Sequence, residues 1–353
     1  MPPVVLAEST RAATAAVRAG RALAISGNDP QAARAWVAAQ YGSNDPALAL
    51  IGRAAMIGTG SIEPPDEYGA ALAAATIRRS VLGRIEAVSA FARVNFNEPL
   101  MRASDTAVGF WVEENMETPM LEGVDPFAIT RLPVTKLGGL AVFSTEFVRQ
   151  AGPRADSVIQ RCMENSLIRR LDVSLFDGQA GDPSRPPSLI DSTIAGTGNA
   201  GEDIGAALST LPEEFGEQIV LVVSPWSVPA LIASGVADSS TLNARTGGVL
   251  LGFPCITSTA VPVSSIAWLA PALIQLADAG VIVGASEASI VRVDTGDGVE
   301  LHSCWQENLT AMRAVLYVGW RKLEPAAAGM VTDVVPATIR PRAPKAKRPT
   351  AAR

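Results

Sequence analysis

The sequence is poor in the residues that most often carry out catalysis or bind metal ions. Among 353 residues there is one histidine, His302, and there are three cysteines, Cys162, Cys255 and Cys304. The cysteines are far apart and lack metal-ligand spacing, so we expect free, buried thiols. Any Ser-His-Asp or Cys-His site would have to use His302, and no orienting acid is evident beside it. We therefore expect a half-buried strand histidine and no catalytic centre.

Long hydrophobic runs are absent as well. No stretch reaches about 18 apolar residues without a break, so no membrane span is expected. The start of the chain, 1–4, lacks the basic and apolar regions of a secretory signal. Hydrophobic residues make up 48% of the chain and charged residues 18%, which is typical of a globular protein large enough for two domains. We expect synthesis in the cytoplasm and no contact with a membrane.

Charge is distributed unevenly along the chain. The net charge is −6, yet the tail over 337–353 contains six basic residues and no acid. The remainder is therefore more acidic than the net charge suggests, and it cannot bind nucleic acid over its whole surface. Any contact with DNA would be weak or local. The tail has no apolar periodicity and is predicted to be disordered.

Basic residues are missing altogether from the stretch 103–130. It contains an extended apolar segment, 108–112, followed by an acidic loop, 113–125. Six acids lie in this stretch: Asp105, Glu113, Glu114, Glu117, Glu122 and Asp125. The loop could be a solvated surface feature, or it could lie on a basic surface of a partner.

The strongest helix signal covers 154–176. Apolar residues recur there at every fourth position, which places them on one face of a helix roughly 35 Å long. The helix is predicted to end at Asp177-Gly178, where glycine can adopt the left-handed conformation. The apolar row consists of Ile159, Met163, Leu167, Leu171 and Leu175. The opposite, polar face contains Arg154, Gln160, Arg161, Glu164, Arg169 and Arg170.

Helix and strand signals are both found through the rest of the chain, and they alternate over 188–290. Ala-rich helices punctuated by proline are predicted within 1–80. Further helices are predicted at 202–211 and 226–234. Strands are predicted at 91–96, 128–135, 140–144, 218–223, 248–258, 281–284 and 310–322, with a hairpin over 290–302.

Two short motifs allow an enzymatic interpretation. Gly196-x-Gly198-x-x-Gly201 matches a dinucleotide-binding string. That site also needs a carboxylate at the end of the next strand, about 20 residues on, and none is present at 222–225. Asp294-Thr295-Gly296 matches an aspartic-protease tripeptide, but there is no second copy to share the proton. A glycine-rich loop and a hairpin turn are favoured, and a nucleotide-binding α/β enzyme remains an alternative.

The order of motifs resembles the major capsid protein family of tailed phages, the Hong Kong 97-like fold shared with encapsulins. The resemblance covers roughly 80–335. In that family a two-stranded E-loop projects from the subunit and lies on a neighbour, and two strands then lead into a long spine helix. The matching segments are 110–114, 118–119, 129–135, 141–146, 252–256, 305–309, 312–314 and 318–320.

The resemblance implies an α+β fold with a defined domain organisation. A helical N-terminal segment, either an N-arm or scaffold-like, covers 1–80, and the end of the N-arm, the E-loop and the P-domain spine helix cover 81–187. An α/β A-domain follows over 188–290, and the return strands of the P-domain cover 291–336. The disordered basic tail covers 337–353.

The resemblance also implies a function. The chain would be a major capsid protein that self-assembles into the icosahedral head shell around the double-stranded DNA of a tailed phage or prophage. Its partners would be copies of itself in pentamers and hexamers, with scaffold, portal and decoration proteins as further candidates, and it would need no cofactor. An encapsulin-like compartment shell is the alternative, and the long N-terminal helical segment favours the phage protein.

We predict that the E-loop of one subunit contacts the spine helix of another. The E-loop residues are Trp111, Glu113, Glu114, Glu117, Glu122 and Asp125, and the spine-helix residues are Arg154, Arg161, Arg169 and Arg170. Some relatives cross-link this loop to a neighbour through a lysine. The stretch 103–130 contains no lysine, so no cross-link donated from this loop is expected.

Overall fold

The computed structural model describes residues 14–15, 17–27, 29–54, 76–98, 100–103, 127–150, 153–191, 193–209, 218–286, 289–294 and 299–334. The predicted E-loop contact residues, the Thr295-Gly296 part of the Asp-Thr-Gly motif and the basic tail lie outside these ranges. Helices and strands are both abundant, so the fold is a mixed helix and sheet fold, as predicted.

Helices occur throughout the described ranges, and none of those described is long and apolar enough to cross a membrane. The predicted long helix over 154–176 is confirmed as α7. The helices are α1 (14–25), α2 (Pro30–Tyr41), α3 (Ala47–Ala54), α4 (76–79), α5 (Val81–Glu86), α6 (Thr145–Gln150), α7 (Pro153–Phe176), α8 (Ala200–Leu208) and α9 (Val228–Ala233).

The strands are concentrated in the second half of the chain. They are β1 (Ala92–Arg93), β2 (Leu100–Ala103), β3 (Phe127–Thr130), β4 (Lys136–Ser144), β5 (Thr193–Ala195), β6 (Val220–Val223), β7 (Leu242–Asn243), β8 (Gly247–Leu250), β9 (Phe253–Thr257), β10 (Ile266–Leu269), β11 (Ile274–Ser286), β12 (Ile290–Asp294), β13 (Val299–Ser303), β14 (Leu309–Lys322) and β15 (Ala328–Thr332).

A four-stranded sheet supports α7. Its order is β1-β11-β14-β4, and β14 runs antiparallel to both β11 and β4. The long strand predicted over 310–322 is confirmed as β14. A side chain at Gly139 on β4 would place its Cβ 2.5 Å from Ser166 Oγ of α7. Glycine at this position therefore lets the helix approach the sheet closely.

The main core lies between α7 and this sheet. All five residues of the predicted apolar row of α7 are buried, and they share one cluster with Met312, Leu316 and Trp320 of β14. The indole Nε1 of Trp320 donates to the carbonyl oxygen of Pro187 at 2.7 Å. Just after the helix ends, Gly178 has a φ of +68°, the left-handed conformation predicted for it.

A seven-stranded sheet forms the second layer, in the order β5-β15-β10-β6-β9-β8-β7. Every residue of β6 is buried, which confirms the predicted buried strand. The single strand predicted over 248–258 is wrong, because β8 and β9 pair antiparallel across a tight turn. Leu251 and Gly252 at that turn have φ values of +52° and +86°. One strand was predicted because the apolar pattern continues through the turn. The turn is recognised from the backbone conformation.

The chain crosses between the two sheets on both sides of the predicted domain boundary at residue 290. The chain passes from β10 in the seven-stranded sheet to β11 in the four-stranded sheet through 270–273, and it returns from β14 to β15 through 323–327. The two crossings hydrogen-bond to each other, since Ala270 N donates to Ala327 O and Leu323 N donates to Leu273 O, each at 2.8 Å.

The N-terminal helices are attached to α7 through a buried charge network. Arg21 of α1 is fully buried, and its Nη1 lies 2.7 Å from Asp156 Oδ1 of α7. The same nitrogen donates to the Tyr41 hydroxyl at 2.9 Å, and Arg21 Nε donates to Val148 O at 2.7 Å. The Tyr41 hydroxyl in turn donates to Asp156 Oδ2 at 2.9 Å. These bonds offset the cost of removing both charges from water.

Two predictions for the faces of α7 are wrong. Glu164, expected on the solvated face, is buried because Arg79 of α4 covers it with an ion pair and Gln160 donates to it at 2.7 Å. Cys162, expected to be buried, is exposed. It lies beside the apolar row that starts at Ile159, on a part of the helix surface that stays exposed.

The start of α5 is also held by α7. Asp172 accepts a hydrogen bond from Val81 N at 2.8 Å. Burial raises the pKa of the Asp172 carboxyl from 3.8 to about 6, although the hydrogen bond from Val81 and the Arg84 guanidinium both act to lower it. In the sequence Asp172 is one more polar residue of a helix, so this contact was not predicted.

Replacement of Asp156 by asparagine should destabilise the fold strongly. Arg21 is fully buried and would lose the charge of Asp156, and removing one partner of a buried ion pair typically costs about 3–5 kcal/mol. Urea unfolding followed by circular dichroism measures the loss. Tyr41→Phe is the matched control, because it removes one hydroxyl and no charge and should cost about 1–2 kcal/mol. Equal losses in the two variants would contradict the assignment of the charge pair as the dominant attachment.

The stability of the wild-type protein should depend on the protonation of Asp172. Because its folded pKa lies above the unfolded value, the contribution of Asp172 to stability is greatest at low pH and falls as pH rises from about 4 to about 6. Asp172→Asn keeps an oxygen for Val81 N and has no charge to bury. The variant should therefore gain about 1–3 kcal/mol relative to wild type between pH 4 and pH 7. The measurement is urea unfolding at each pH.

The exposed Glu202 provides the control for this titration. Glu202→Gln should show a much smaller change relative to wild type over the same pH range. A difference between Asp172→Asn and wild type that stays constant from pH 4 to pH 7 would refute the role of Asp172.

Candidate functional site

The outward side of α7 is a basic surface with apolar positions. Arg161, Arg169 and Arg170 are exposed there, and among the described residues none of the three forms an ion pair. Val158 and Val173 on the same helix are 47% and 37% exposed. Arg154 lies in the first turn of α7, and its side chain is outside what the structure describes. Three of the four arginines that were predicted as contact residues on this helix are therefore exposed and available for contact.

Two paired strands flank the acidic stretch and form the base of a hairpin. β2 pairs antiparallel with β3, with Leu100 opposite Thr130 and Ala103 opposite Phe127. The two ends of the stretch 104–126 are therefore held side by side. The predicted contact residues Trp111 to Asp125 all lie within that stretch, outside the described residues, so their pairing with the arginines of α7 stays a prediction.

The side-chain carboxylate of Asp203 occupies the space beside the glycine-rich loop at 196–201. Asp203, in the first turn of α8, accepts from Thr197 N at 2.9 Å and from Thr197 Oγ1 at 2.8 Å. A Cβ at Gly196 would lie 2.6 Å from both Asp203 Oδ2 and Thr332 O. A phosphate needs free N–H donors and positive potential at such a loop. The buried carboxylate supplies the opposite charge, which argues against the nucleotide-binding alternative.

The single histidine is half-exposed and bound to acids. His302 Nδ1 lies 2.9 Å from Glu307 Oε2, and its Nε2 lies 3.6 Å from Glu300 Oε2. The hydrogen bond and charge of Glu307 raise the pKa of His302. The expectation that no acid lies beside His302 is therefore wrong. Strand alternation could have indicated Glu300, which is two residues away on β13, whereas Glu307 lies in the turn after the strand and gave no local signal. Cys304, in contrast, is fully buried, so a Cys-His pair is not formed.

The remaining polar groups do not form a reactive or metal-binding cluster. Burial raises the pKa of the Cys255 thiol to about 12, which keeps it protonated and unreactive. Within the described ranges, no group of three or more His, Cys, Asp or Glu side chains is placed to hold a metal ion. The candidate functional features of the described residues are therefore exposed surfaces.

Comparison with known proteins identifies one curated relative. No protein-family model matches the chain. The chain is 28% identical over 287 residues to a capsid polyprotein of Pseudomonas phage PAJU2. The match covers 72% of this chain, and the chain spans 42% of the length of that relative.

Several solved structures resemble the fold in part. A chain of Mycobacterium phage Ogopogo has a TM-score of 0.49 at 17% identity, covering 70% of this chain and 90% of that one. A chain of Microbacterium phage Oxtober96 has a TM-score of 0.45 at 17% identity, covering 81% and 98%. A structure described as the capsid of an empty GTA particle computed with C5 symmetry has a TM-score of 0.45 at 14% identity, covering 73% and 89%.

The sequence relative confirms the resemblance that the motifs predicted. The matched segment of 287 residues exceeds any of the short motifs on which that prediction depended. The chain is a relative of a phage capsid polyprotein.

Proposed function

We propose that the chain is the major capsid protein of a tailed phage or prophage. In this role it assembles with copies of itself into the icosahedral shell that encloses double-stranded DNA. The observation that carries the proposal is the identity of 28% over 287 residues to a phage capsid polyprotein. The carboxylate that fills the glycine-rich loop supports a structural role over the enzymatic alternative. A phage relative likewise favours a virion shell over an encapsulin-like compartment.

The finer architecture follows from this proposal. We assign α7 and the four-stranded sheet to the P-domain of a Hong Kong 97-like subunit, and the seven-stranded sheet to its A-domain. The hairpin base of β2 and β3 is assigned to the E-loop. The packing of a 24-residue helix along a sheet with two long strands, β11 and β14, supports the first assignment. The paired ends of the stretch 104–126 support the last.

Assembly of one chain into a closed shell requires several distinct contact surfaces on each copy. The described body exposes large apolar side chains in separate places, and we assign these places to contacts between copies. Leu140 on β4 is 50% exposed, Trp226 before α9 is 54% exposed and Trp305 after β13 is 79% exposed. Pentamers and hexamers are the assemblies that an icosahedral shell requires. Contact with DNA is local, because most of the chain is acidic.

Charge complementarity supports a contact between the E-loop and α7 of different copies. The stretch 103–130 contains six acids and no basic residue, and Arg161, Arg169 and Arg170 are exposed. A single exposed pair contributes only about 0–1 kcal/mol. Repeated in every copy of a shell, such pairs determine register and partner choice more than affinity.

Purified full-length protein should form closed particles of uniform size. Size-exclusion chromatography followed by negative-stain microscopy tests this directly, at several salt concentrations because surface charge pairs are screened by salt. Intact mass of the chain in those particles shows whether the N-terminal helices are retained. Protein that stays monomeric under all conditions would contradict the proposed function.

Reversal of three acids in the stretch 103–130 should block or misdirect assembly. The variant Glu113→Lys, Glu114→Lys, Glu117→Lys places like charges against the arginines of α7, which is unfavourable in a contact. Adding Arg161→Glu and Arg169→Glu should restore particles, as judged by negative-stain microscopy. Glu202→Lys, which reverses the charge of an exposed residue on α8, is the control and should assemble normally. Normal particles from the triple variant would exclude this contact.

A further inference from the structure

A cavity of about 280 Å³ lies where the C-terminal half of α7, the start of β4 and the loop after α7 meet. Leu171, Val318 and Trp320 give it an apolar lining. The polar lining comes from all three segments, and its side chains are basic or hydroxylic. They are Thr135, Lys136, Arg170, Ser174, Ser184 and Arg185.

Two guanidinium groups lie near one carboxylate beside this cavity. Arg185 Nη1 and Nη2 lie 3.1 Å and 2.9 Å from the two carboxylate oxygens of Asp177. Burial acts to raise the pKa of the Asp177 carboxyl, yet the hydrogen bonds from Arg185 and Gln179 and the charges of Arg185 and Arg170 bring it below its ordinary value. The two-point contact fixes the orientation of the Arg185 guanidinium.

Both arginines keep N–H donors for a ligand. A guanidinium has five N–H donors, and Arg185 gives one from each terminal nitrogen to Asp177. Arg170 is exposed and has no ion pair within the described part of the chain. The hydroxyls of Ser174 and Ser184 are already used, since they donate to Arg170 O and to Asp182 Oδ1. The side-chain donors that remain are therefore charged.

The edge of the four-stranded sheet adds a main-chain donor. β4 is an edge strand with a regular register, and just after it Thr145 N donates to Asn308 O on the opposite side. Residues that bond to the neighbouring strand alternate in an antiparallel ladder, so the N–H of Gly138 points away from β14. A Cβ at Gly138 would meet no atom within 4 Å. Gly138 therefore brings a main-chain N–H to open space at the cavity.

The groups around the cavity have an excess of positive charge. Lys136 is exposed at the rim, where its Nζ lies 5.5 Å from the centre of the Tyr317 ring. Three cations, Lys136, Arg170 and Arg185, face the single carboxylate of Asp177. Asp182 is close by, but its carboxylate accepts from Ser184 N and Arg185 N of its own loop. The excess stays positive even when Asp182 is counted.

We propose that this cavity binds a small, multiply charged phosphate anion, such as inorganic phosphate or pyrophosphate. Arg170 and Arg185 would hold its oxygens from two sides, and Gly138 N would donate from the sheet edge. Arginine suits this role because its planar fork matches phosphate oxygens at two points. The volume lies just below the roughly 300–1,000 Å³ of pockets for drug-sized ligands, which favours a small anion.

The bound anion would join three segments of the fold. It would connect α7 to the start of β4 and to the loop that leads into the seven-stranded sheet. A ligand that binds only the folded protein stabilises it by mass action. The site would therefore make the stability of the subunit respond to the concentration of free phosphate.

Isothermal titration calorimetry of the full-length protein with pyrophosphate, at constant ionic strength, tests the site. We expect saturable binding of one anion per chain. Arg170→Gln removes a charged donor and should weaken binding at least about tenfold, whereas Arg170→Lys keeps the charge and should weaken it less. Arg169→Gln is the matched control, because Arg169 is an exposed neighbour on α7 that does not line the cavity. Circular dichroism checks that each variant is folded.

Thermal unfolding gives a second readout. Phosphate salts stabilise many proteins without binding, because they are excluded from the surface. The informative quantity is therefore the difference between variants. Pyrophosphate should raise the unfolding midpoint of wild type and Arg169→Gln equally, and that of Arg170→Gln by less.

Three results would overturn the proposal. The first is the lack of saturable binding of both phosphate and pyrophosphate to wild type. The second is an equal loss of binding in Arg169→Gln and Arg170→Gln, since a general attraction of anions to the helix would explain it. The third is binding of a short DNA duplex without binding of either inorganic anion, which would assign Arg170 to nucleic acid. None of these results depends on particle formation, so they leave the proposed function to its own test.

Discussion

The structure depends on the burial of the apolar row of α7 against β14 and its neighbours. That row is covered by a sheet on one side, while α1 and α4 pack along the helix through Arg21 and Arg79. One helix therefore organises both the N-terminal segment and the sheet. Its remaining surface is left to arginines and a few exposed apolar residues. The element that holds the fold together thus also exposes arginines and valines that a partner could contact.

The charged residues of α7 have two different roles. Asp156 and Glu164 are buried and paired with arginines of the N-terminal helices, so their charges maintain the attachment of that segment. Arg161 and Arg169 remain exposed, so their charges are available to a partner. Periodicity alone cannot separate the roles, because both kinds of residue lie off the apolar row.

Sequence patterns predicted the elements better than the contacts. α7, β6 and β14 were predictable because long periodic or continuous apolar runs leave few alternatives. The turn between β8 and β9 was missed, since Leu251 there adopts a backbone conformation that its residue type does not indicate. The ion pairs of Arg21 and Arg79 join residues far apart in the chain, so no local pattern could reveal them. For the candidate site, the exposed arginines of α7 were predicted, whereas the contact of His302 with Glu307 was not, because it depends on a turn outside the strand.

The paired crossings at 270–273 and 323–327 have a mechanical consequence. They connect the two sheets by two covalent segments that also hydrogen-bond to each other, so the layers cannot swivel about a single linker. A force applied to one layer is therefore passed to the other through both segments and the hydrogen bonds between them. The two layers should move together under tension, which would suit a subunit of the proposed shell when its contents press outward.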